Sequence, residues 1–197
     1  FIGGTGNISA DCAALLHQHG HEVGVLTRGN NLIPAEYKCL RGDRRNIDEL
    51  RSAIESFRPE IVINFLGYDV ADVRLDFEIL HDRIAQYIFI SSTTVYQKPP
   101  PRVPITEDNP LGNPWWDYAQ KKVECEQWLA TVKGQFPTTI LRPSHTYSHR
   151  WIPNPIASSS YSFAARLEQG KPVFIPDAGE NPWTLTAASD FAIGLAG

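Results

Sequence analysis

The stretch Gly3-Gly4-Thr5-Gly6-Asn7-Ile8-Ser9 follows two apolar residues and precedes an amphipathic helical pattern, so it predicts a turn between a strand and a helix. Glycines in such a turn allow a sharp reversal and let a ligand come close to the main chain. A helix that begins here presents unpaired amide groups and a partial positive charge, which together favour a phosphate. The stretch therefore predicts a dinucleotide site formed by Gly3, Gly4, Thr5, Gly6, Asn7 and Ile8; a glycine-rich turn without a ligand is the alternative.

Strand-like and helix-like patterns alternate after this turn. Apolar stripes at helical spacing cover residues 8–16, 47–57, 70–84 and 117–132, and short apolar runs typical of buried strands cover 23–27, 61–66, 87–91 and 138–142. Repeated strand–helix–strand units predict a parallel sheet with right-handed crossovers, that is, an α/β Rossmann-type doubly wound fold. We expect the helix over 47–57 to begin at a capping box formed by Asn46 and Glu49.

The alternation weakens from residue 143 onward, where prolines and serines interrupt it. We expect a dinucleotide-binding Rossmann domain over residues 1–143 and the start of a smaller substrate-binding lobe over 144–197, with a short helix near 163–167 and a strand at 172–175. Almost no strand precedes the glycine turn, and the chain stops inside an apolar helical pattern. We therefore expect a chain that is truncated at both ends, with a C-terminal lobe that is partly missing.

The composition describes an ordinary globular domain and excludes several classes of protein. The 197 residues are 42% hydrophobic and 20% charged, and no apolar run reaches the length needed to span a membrane. The formal net charge of −4 gives no electrostatic footprint for nucleic acid. Cysteines stand far apart at 12, 39 and 125, and the histidines at 17, 19 and 21 are typical of a solvent-facing helix end. We therefore predict no disulfide framework and no metal site, and we expect a reducing, cytoplasmic location without membrane or nucleic-acid partners.

The end of the predicted second strand bears on the choice of cofactor. An NAD site usually carries an acidic side chain there, which binds the ribose 2′-hydroxyl, whereas this strand ends in Arg28. The planar guanidinium of Arg28 suits a 2′-phosphate, so the sequence favours NADP over NAD, with a solvated loop arginine as the alternative. Asp43 ends the predicted third strand, where its carboxylate is placed either to accept a hydrogen bond from the adenine amine or to close a simple turn.

Three side chains predict acid–base chemistry. Tyr118 and Lys122 are four residues apart in a predicted helix, so they share one face, and a neighbouring ammonium lowers the pKa of a phenol by favouring the phenolate. Ser92 stands at the carboxyl end of the predicted fifth strand, the edge at which open α/β sheets bind their ligands. We predict that Tyr118 exchanges a proton with a substrate oxygen, which the Ser92 hydroxyl orients.

Four stretches of the chain resemble the extended short-chain dehydrogenase/reductase superfamily, in its NAD(P)-dependent epimerase/dehydratase branch. They are the glycine turn at 3–9, Ile90-Ser91-Ser92-Thr93-Thr94-Val95-Tyr96, Tyr118-Ala119-Gln120-Lys121-Lys122 and Leu141-Arg142-Pro143-Ser144. The resemblance implies that Ser92, Tyr118 and Lys122 are the catalytic trio, with Lys122 also holding the nicotinamide ribose. It further implies an enzyme that moves a hydride between a nicotinamide and a carbinol or keto carbon of a sugar-like or other small substrate.

Additional contacts follow from the same resemblance. It implies cofactor contacts at Leu66 and Pro143 and substrate contacts at Thr94 and His145. It is compatible with a homodimer, although the segment from 67 to 87 is shorter than the dimer-forming region of the sugar epimerases. Trp183 stands where nucleotide-sugar enzymes carry an arginine for the substrate diphosphate, which weakens the case for a nucleotide-sugar substrate.

A non-catalytic Rossmann-fold protein that binds RNA or senses redox state is the alternative. The stretch from Ser92 to Tyr96 also resembles chloroplast RNA-binding relatives of the superfamily. The complete pair of Tyr118 and Lys122 and the acidic charge balance favour the enzyme. The substrate, and the choice among epimerase, dehydratase and reductase, stay open.

Overall fold

The computed structural model describes residues 1–156, 160–180 and 182–197, in which helices and strands alternate. The helices are α1 (Ser9–Gln18), α2 (Ile47–Phe57), α3 (Val70–Leu80), α4 (Asp117–Thr131), α5 (Ser162–Glu168) and α6 (Ala188–Ala196). The strands are β1 (Gly24–Thr27), β2 (Lys38–Arg41), β3 (Ile61–Asn64), β4 (Gln86–Ile90), β5 (Thr138–Leu141), β6 (His145–Tyr147) and β7 (Leu185–Ala187), and a 3-10 turn over Thr93–Val95 follows β4. None of the helices within the described ranges is both long enough and apolar enough to cross a membrane.

One parallel sheet forms the centre of the fold. β1 pairs with β2, and β3, β4 and β5 pair in that order, all in parallel. Ile2 joins the two sets through single parallel bridges to Leu26 of β1 and Asn64 of β3. The order across the sheet is therefore β2-β1-Ile2-β3-β4-β5, and the winding reverses beside Ile2. This is the Rossmann-type doubly wound α/β arrangement that the sequence predicts.

Helices cover both faces of this sheet, because successive side chains of a strand point to opposite faces. Tyr87 and Phe89 of β4 belong to a core shared with α2, α3 and α4. Ile88 and Ile90 of the same strand belong to a second core shared with α1 and α6. All four side chains are 6% exposed or less, so β4 is a central strand buried on both faces, as its continuous apolar run predicts.

Polar side chains fix where α2 and α3 begin. The Asn46 side chain accepts a hydrogen bond from the Glu49 amide at 3.3 Å, as predicted for a helix cap. The return bond differs from the predicted capping box, because the Glu49 carboxylate accepts from the Asn46 side-chain amide (2.8 Å) and from the main-chain amide of Asp43 (2.7 Å). A complete capping box, formed by Asp69 and Asp72, starts α3.

The chain beyond residue 143 forms a second, smaller sheet, in which β6 pairs in parallel with β7. α6 packs back against α1. The strand predicted at 172–175 is wrong: these residues form no strand, and Phe174 and Ile175 are exposed. Pro172 has no amide hydrogen for a strand ladder, and none of the strands in the described residues pairs with this segment. The division into two domains at residue 143 stays a prediction.

The cysteines at 12, 39 and 125 are free thiols. Cys12 and Cys125 are fully buried, and this burial raises the pKa of each thiol to about 12. A thiol that keeps its proton in this way is not a nucleophile, so both residues serve the packing of the core.

A buried network of charged groups joins β3, β4 and α3. The Arg44 guanidinium forms ion pairs with Asp72 and Asp76 and also donates to the main-chain carbonyl of Asp72 at 2.9 Å. Asp76, which is fully buried, accepts further hydrogen bonds from the Tyr87 hydroxyl (2.6 Å) and the Asn64 amide (2.5 Å). Burial raises the pKa of the Asp76 carboxyl, whereas Arg44 favours its charged form. The network therefore depends on its buried cation, Arg44, because Arg45, which also pairs with Asp72, is exposed.

Replacing Arg44 should expose that dependence. We expect Arg44→Met to lower the free energy of unfolding by about 3–5 kcal/mol at neutral pH, because Asp72 and Asp76 lose the buried cation that pairs with both of them. Without the cation, the folded-state pKa of Asp76 lies still further above its unfolded value. The loss should therefore shrink on acidification, as the pH falls below that folded-state pKa and Asp76 becomes neutral. Urea unfolding followed by circular dichroism at several pH values measures both effects.

Arg45→Met is the matched control. Arg45 is 63% exposed and its Nε lies 3.5 Å from the Asp72 carboxylate, so we expect a loss below about 1 kcal/mol. Equal losses in the two variants, or a loss for Arg44→Met that grows on acidification, would contradict the account of the network.

Candidate functional site

The residues predicted to form a site gather at the carboxyl ends of the central strands. The glycine turn at 3–9 lies between β1 and β3, and Ser92 follows β4. Lys122 of α4 reaches the same edge, where its ammonium donates to the main-chain carbonyls of Gly67 (2.7 Å) and Ile90 (2.6 Å). This edge, at the point where the winding of the sheet reverses, is where open α/β sheets bind their ligands.

The glycine turn packs too tightly to accept side chains at two positions. Gly3 has a φ of +81°, and a Cβ built on it would lie 2.6 Å from the Cγ of Leu66. A Cβ on Gly4 would lie 2.9 Å from the Val25 side chain. The sequence therefore needs glycine at both places. Leu66, which was predicted to contact the cofactor, borders the turn.

Asn7 holds an unused hydrogen-bonding group beside the start of α1. Its Oδ1 accepts a hydrogen bond from the Ser148 hydroxyl at 2.5 Å, but its Nδ2 is buried and has no partner among the described residues. Ile8, at the N-cap of α1, provides no side-chain cap, while Ser9 accepts from the Gly6 amide at 2.9 Å. A buried donor without an acceptor costs free energy, so Asn7 suits a ligand that supplies one.

The residues predicted to select the cofactor lie at the ends of β1 and β2. Arg28 is exposed and forms no ion pair with any residue that the structure describes. The Arg41 guanidinium lies against Gly29, next to Arg28, since a Cβ on Gly29 would be 3.2–3.3 Å from its atoms. The Asp43 carboxylate accepts from the Arg45 amide at 2.9 Å, so it closes a turn, and a contact with adenine stays a prediction.

Ser92, Thr94 and Tyr118 form one group of hydroxyls. The Ser92 Oγ accepts hydrogen bonds from the Thr94 amide (3.2 Å) and the Thr94 hydroxyl (3.0 Å). Tyr118 lies in the first turn of α4. Burial raises the pKa of Tyr118, the charge of Tyr68 acts in the same direction, and the Ser92 hydroxyl opposes them. The Ser92 hydroxyl thus lies near enough to the Tyr118 phenol to affect its pKa.

Lys122 brings a charge into the same place, with only 1% of its side chain exposed. Its ammonium lies 4.6 Å from the centroid of the Phe89 ring and 5.7 Å from that of Tyr118. Burial lowers the pKa of Lys122 to about 8, although acidic groups that include Asp72 favour the charged form. The ammonium is therefore held by dipoles and ring faces rather than by a paired carboxylate.

The predicted lowering of the Tyr118 pKa by Lys122 is wrong for this structure. The pKa of Tyr118 is raised, because loss of water around the phenol outweighs the other effects. The ammonium faces two main-chain carbonyls and lies over the tyrosine ring. In this arrangement Tyr118 keeps its proton at neutral pH.

Two aromatic residues without a motif also border the site. The ring of Tyr68, which is 44% exposed, has its centroid 5.5 Å from the Lys122 ammonium. The sequence could have pointed to Tyr68 by its position alone, because it comes shortly after the carboxyl end of β3, where ligands bind in such sheets. The Trp116 ring lies 5.1 Å from that of Tyr118 and is half exposed, so it forms a wall of the site.

His145 lies at the start of β6, two residues after Pro143. The Pro143 carbonyl accepts a hydrogen bond from the Thr93 amide at 3.0 Å, which ties this segment to the serine turn. The His145 ring lies 5.0 Å from Trp183 and 6.4 Å from Trp151. Its Nε2 is buried and has no partner among the described residues, so it keeps a group for a ligand.

A second, partly buried ion pair supports the turn that carries Ser92. Glu126 of α4 accepts hydrogen bonds from the Arg142 guanidinium (2.6 Å) and the Ser91 hydroxyl (2.5 Å). Arg142 also donates to the Tyr96 hydroxyl at 3.0 Å. Because Ser91 and Tyr96 stand on either side of the turn, the pair holds both of its ends.

Comparison with a solved structure shows the same fold. A dTDP-glucose 4,6-dehydratase from Bacillus anthracis str. Ames, solved in complex with NAD, matches with a TM-score of 0.82 and 20% identity. The match covers 99% of this chain and 69% of that chain. At this identity the likeness establishes the fold alone.

Two curated proteins match nearly the whole chain. The chloroplast stem-loop binding protein of 41 kDa b from Arabidopsis thaliana is 28% identical over 97% of this chain and 52% of its own length. The 2′-dehydrokanamycin reductase of Streptomyces kanamyceticus is 24% identical over 98% of this chain and 55% of its own length. The chain thus spans about half the length of these relatives.

A family model extends over the same residues as the fold and the site. It describes the NAD dependent epimerase/dehydratase family and matches residues 1–196, which include the glycine turn, Ser92, Tyr118 and Lys122. The chain belongs to the NAD dependent epimerase/dehydratase family.

Proposed function

We propose that this chain is the cofactor-binding and catalytic part of an NAD(P)-dependent oxidoreductase of the epimerase/dehydratase type. It would act by hydride transfer at a carbinol or keto carbon of a sugar-like or other small substrate. The observation that carries the proposal is the grouping of Ser92, Tyr118 and Lys122 at the carboxyl ends of the strands, beside a glycine turn. A relative described as a reductase and a neighbour solved with NAD support it.

The residues present fit a dinucleotide. The turn is closed to side chains at Gly3, but at Gly6 a Cβ would meet only the Ser9 hydroxyl, at 3.4 Å. The buried Asn7 Nδ2 and His145 Nε2 have no hydrogen-bond partner among the described residues, and each suits a polar ligand atom. We assign cofactor contacts to residues 3–8, Arg28, Asp43, Leu66, Lys122 and Pro143, and substrate contacts to Thr94 and His145.

Proton transfer is assigned to Tyr118. When bound, the nicotinamide supplies or accepts the hydride. Burial raises the pKa of the Tyr118 phenol, so it holds a proton that it can donate to the substrate oxygen during reduction. The Ser92 oxygen already accepts from Thr94, which leaves its own hydrogen to orient the substrate oxygen. The Lys122 ammonium lies 5.7 Å from the centroid of the Tyr118 ring, and we assign it to the ribose of the nicotinamide.

Arg28 favours NADP as the cofactor. It is exposed at the end of β1, and the Arg41 guanidinium lies against the adjacent Gly29. Two cations at the place where a ribose 2′-substituent is expected attract a phosphate and leave no carboxylate for a 2′-hydroxyl. NAD remains the alternative.

Exposed aromatic rings suggest the class of substrate. Tyr68 and Trp116 border Tyr118, and Trp183 contacts His145. Flat apolar rings of this kind pack against the C–H face of a sugar, while Ser92 and Thr94 supply hydroxyls. We therefore propose a keto sugar or hydroxy sugar, and 2′-dehydrokanamycin, named in a relative's description, is a suitable probe.

The stem-loop binding named for the Arabidopsis relative is not proposed for this chain. Affinity for RNA rises with the number of phosphates that lysine and arginine neutralise, and the formal charge here is −4. The three hydroxyls of Ser92, Thr94 and Tyr118 are uncharged, so they add nothing to the attraction for RNA phosphates. A homodimer and a cytoplasmic location stay predictions.

Tyr118→Phe should abolish turnover and leave cofactor binding unchanged. The variant keeps the ring that packs against Trp116 and loses the proton that the reaction needs. We expect kcat for NADPH-dependent reduction of 2′-dehydrokanamycin to fall by about a hundredfold or more. Loss of nicotinamide absorbance measures the rate. Tyr37→Phe is the control, because Tyr37 contacts His17 at the opposite edge of the sheet; turnover retained in Tyr118→Phe would refute the mechanism.

Arg28→Ala should remove the preference for NADPH. We expect the unaltered protein to bind NADPH more tightly than NADH, and the variant to lose about tenfold in NADPH affinity, the value of a charge-assisted hydrogen bond. Titration of nicotinamide fluorescence measures both cofactors. NADH binding serves as the internal control and should not change. Equal weakening of both cofactors would assign Arg28 to the fold instead.

Lys122 should titrate near pH 8, since burial lowers its pKa to about 8. The chain has six lysines, few enough for their side-chain resonances to be followed by NMR. We expect one resonance to shift through pH 8 and to be missing from Lys122→Met. Because the folded-state pKa of Lys122 lies below its unfolded value, its titration should also raise the free energy of unfolding as the pH rises above 8. A Lys122 resonance that does not move near pH 8 would contradict its buried position.

A further inference from the structure

The turn at residues 148–151 lies directly on the glycine turn. Main-chain hydrogen bonds join Ser148 and Trp151 in both directions, each 3.1 Å long. The Ser148 hydroxyl donates to the Asn7 side chain at 2.5 Å, and the Arg150 guanidinium donates to the Thr5 carbonyl at 3.1 Å. These partners are 141 and 145 residues apart in sequence, so the fold brings a cation that is distant in sequence to the predicted phosphate site.

The Arg150 side chain is held in place but is not neutralised. Its Nη1 binds Thr5, its Nε donates to the His149 ring at 3.2 Å, and its main-chain amide donates to Ser148 at 3.0 Å. No acidic residue of the described part of the chain forms an ion pair with it, and its Nη2 has no acceptor there. The exposed Nη2 therefore keeps two N–H groups for a ligand at the glycine turn.

The start of α1 alone is a weak anchor for a diphosphate. A helix N-terminus carries only a partial positive charge, while the diphosphate of a dinucleotide is fully ionised at neutral pH. A planar guanidinium matches phosphate oxygens with parallel hydrogen bonds and adds a full charge. The unpaired Asn7 Nδ2 stands beside the same turn and offers a further donor.

We propose that Arg150 is a second anchor for the diphosphate of the dinucleotide, which it binds together with the start of α1. The inference rests on the proposed function, because it requires that the glycine turn holds a dinucleotide. Arg150 is a binding residue here and takes no part in proton transfer. Because the turn at 148–151 belongs to the chain beyond residue 143, a bound dinucleotide also ties that part to the Rossmann sheet.

Removal of the guanidinium tests the proposal. We expect Arg150→Ala to weaken NADPH binding by about tenfold to a hundredfold, measured by nicotinamide fluorescence. ADP-ribose, which has the diphosphate and lacks the nicotinamide, should lose the same factor in competition, and adenosine should lose nothing. Arg150→Lys keeps the charge but loses the planar guanidinium, so its affinity for NADPH should lie between those of the unaltered protein and Arg150→Ala. In the unaltered protein, NADPH should also slow amide hydrogen exchange over residues 148–151.

Arg166→Ala provides the matched control. Arg166 is also exposed, lies beyond residue 143 on α5, and donates to a main-chain carbonyl, that of Pro172, at 2.8 and 2.9 Å. Its loss should leave NADPH affinity unchanged. Unchanged affinity in Arg150→Ala would show that Arg150 only joins the two segments, and tighter binding would show that it blocks the site; either result overturns the proposal. If the unaltered protein binds neither NADPH nor NADH, the proposed function itself fails, and this inference with it.

Discussion

The buried ammonium of Lys122 sets the arrangement of the site. In place of water, the ammonium contacts the carbonyls of Gly67 and Ile90, at 2.7 and 2.6 Å, and the faces of neighbouring rings. These partners compensate only part of the lost hydration, as the pKa of Lys122, lowered to about 8, indicates. The two carbonyls belong to segments that follow β3 and end β4, so one side chain of α4 fixes the spacing of two strand ends. The position of α4, and with it that of Tyr118, follows from the same contacts.

The segment that carries the Gly67 carbonyl is itself held from behind. The Leu66 amide donates to the Asn64 side chain at 2.7 Å, and the Tyr68 amide donates to the Asp72 carboxylate at 2.8 Å. Asn64 and Asp72 both belong to the buried network around Arg44. Buried ion pairs are weak contributors to stability, since desolvation offsets their attraction. Their effect here is positional, because each acceptor faces a defined amide of the segment that receives Lys122.

Local patterns in the sequence predict most of this arrangement. Apolar periodicity gives the strands and helices, and the rule that ligands bind at carboxyl ends of strands brings Ser92, Tyr118 and Lys122 to one edge. The direction in which the pKa of Tyr118 shifts was not predictable, because it depends on how much water the surrounding fold removes from the phenol. Pairing across long stretches of chain escaped prediction for the same reason: nothing near Arg44 in the sequence points to Asp76. The strand wrongly predicted at 172–175 shows the converse, since an apolar run forms a strand only where a neighbour pairs with it.

Net charge and local charge lead to different conclusions for this chain. A formal charge of −4 argues against a polyanion that covers a large surface, because screening limits the attraction to charges within about 8–10 Å. A dinucleotide is small enough to meet only the groups at one edge of the sheet. At that edge Arg28 lies at the end of β1 and Arg150 lies on the glycine turn, neither in an ion pair with a described residue. They are assigned to different phosphates of one ligand and share no partner among the described residues, so their contributions to binding should add nearly independently. An acidic protein can thus hold a small anion through a few unpaired cations whose placement is set by the fold.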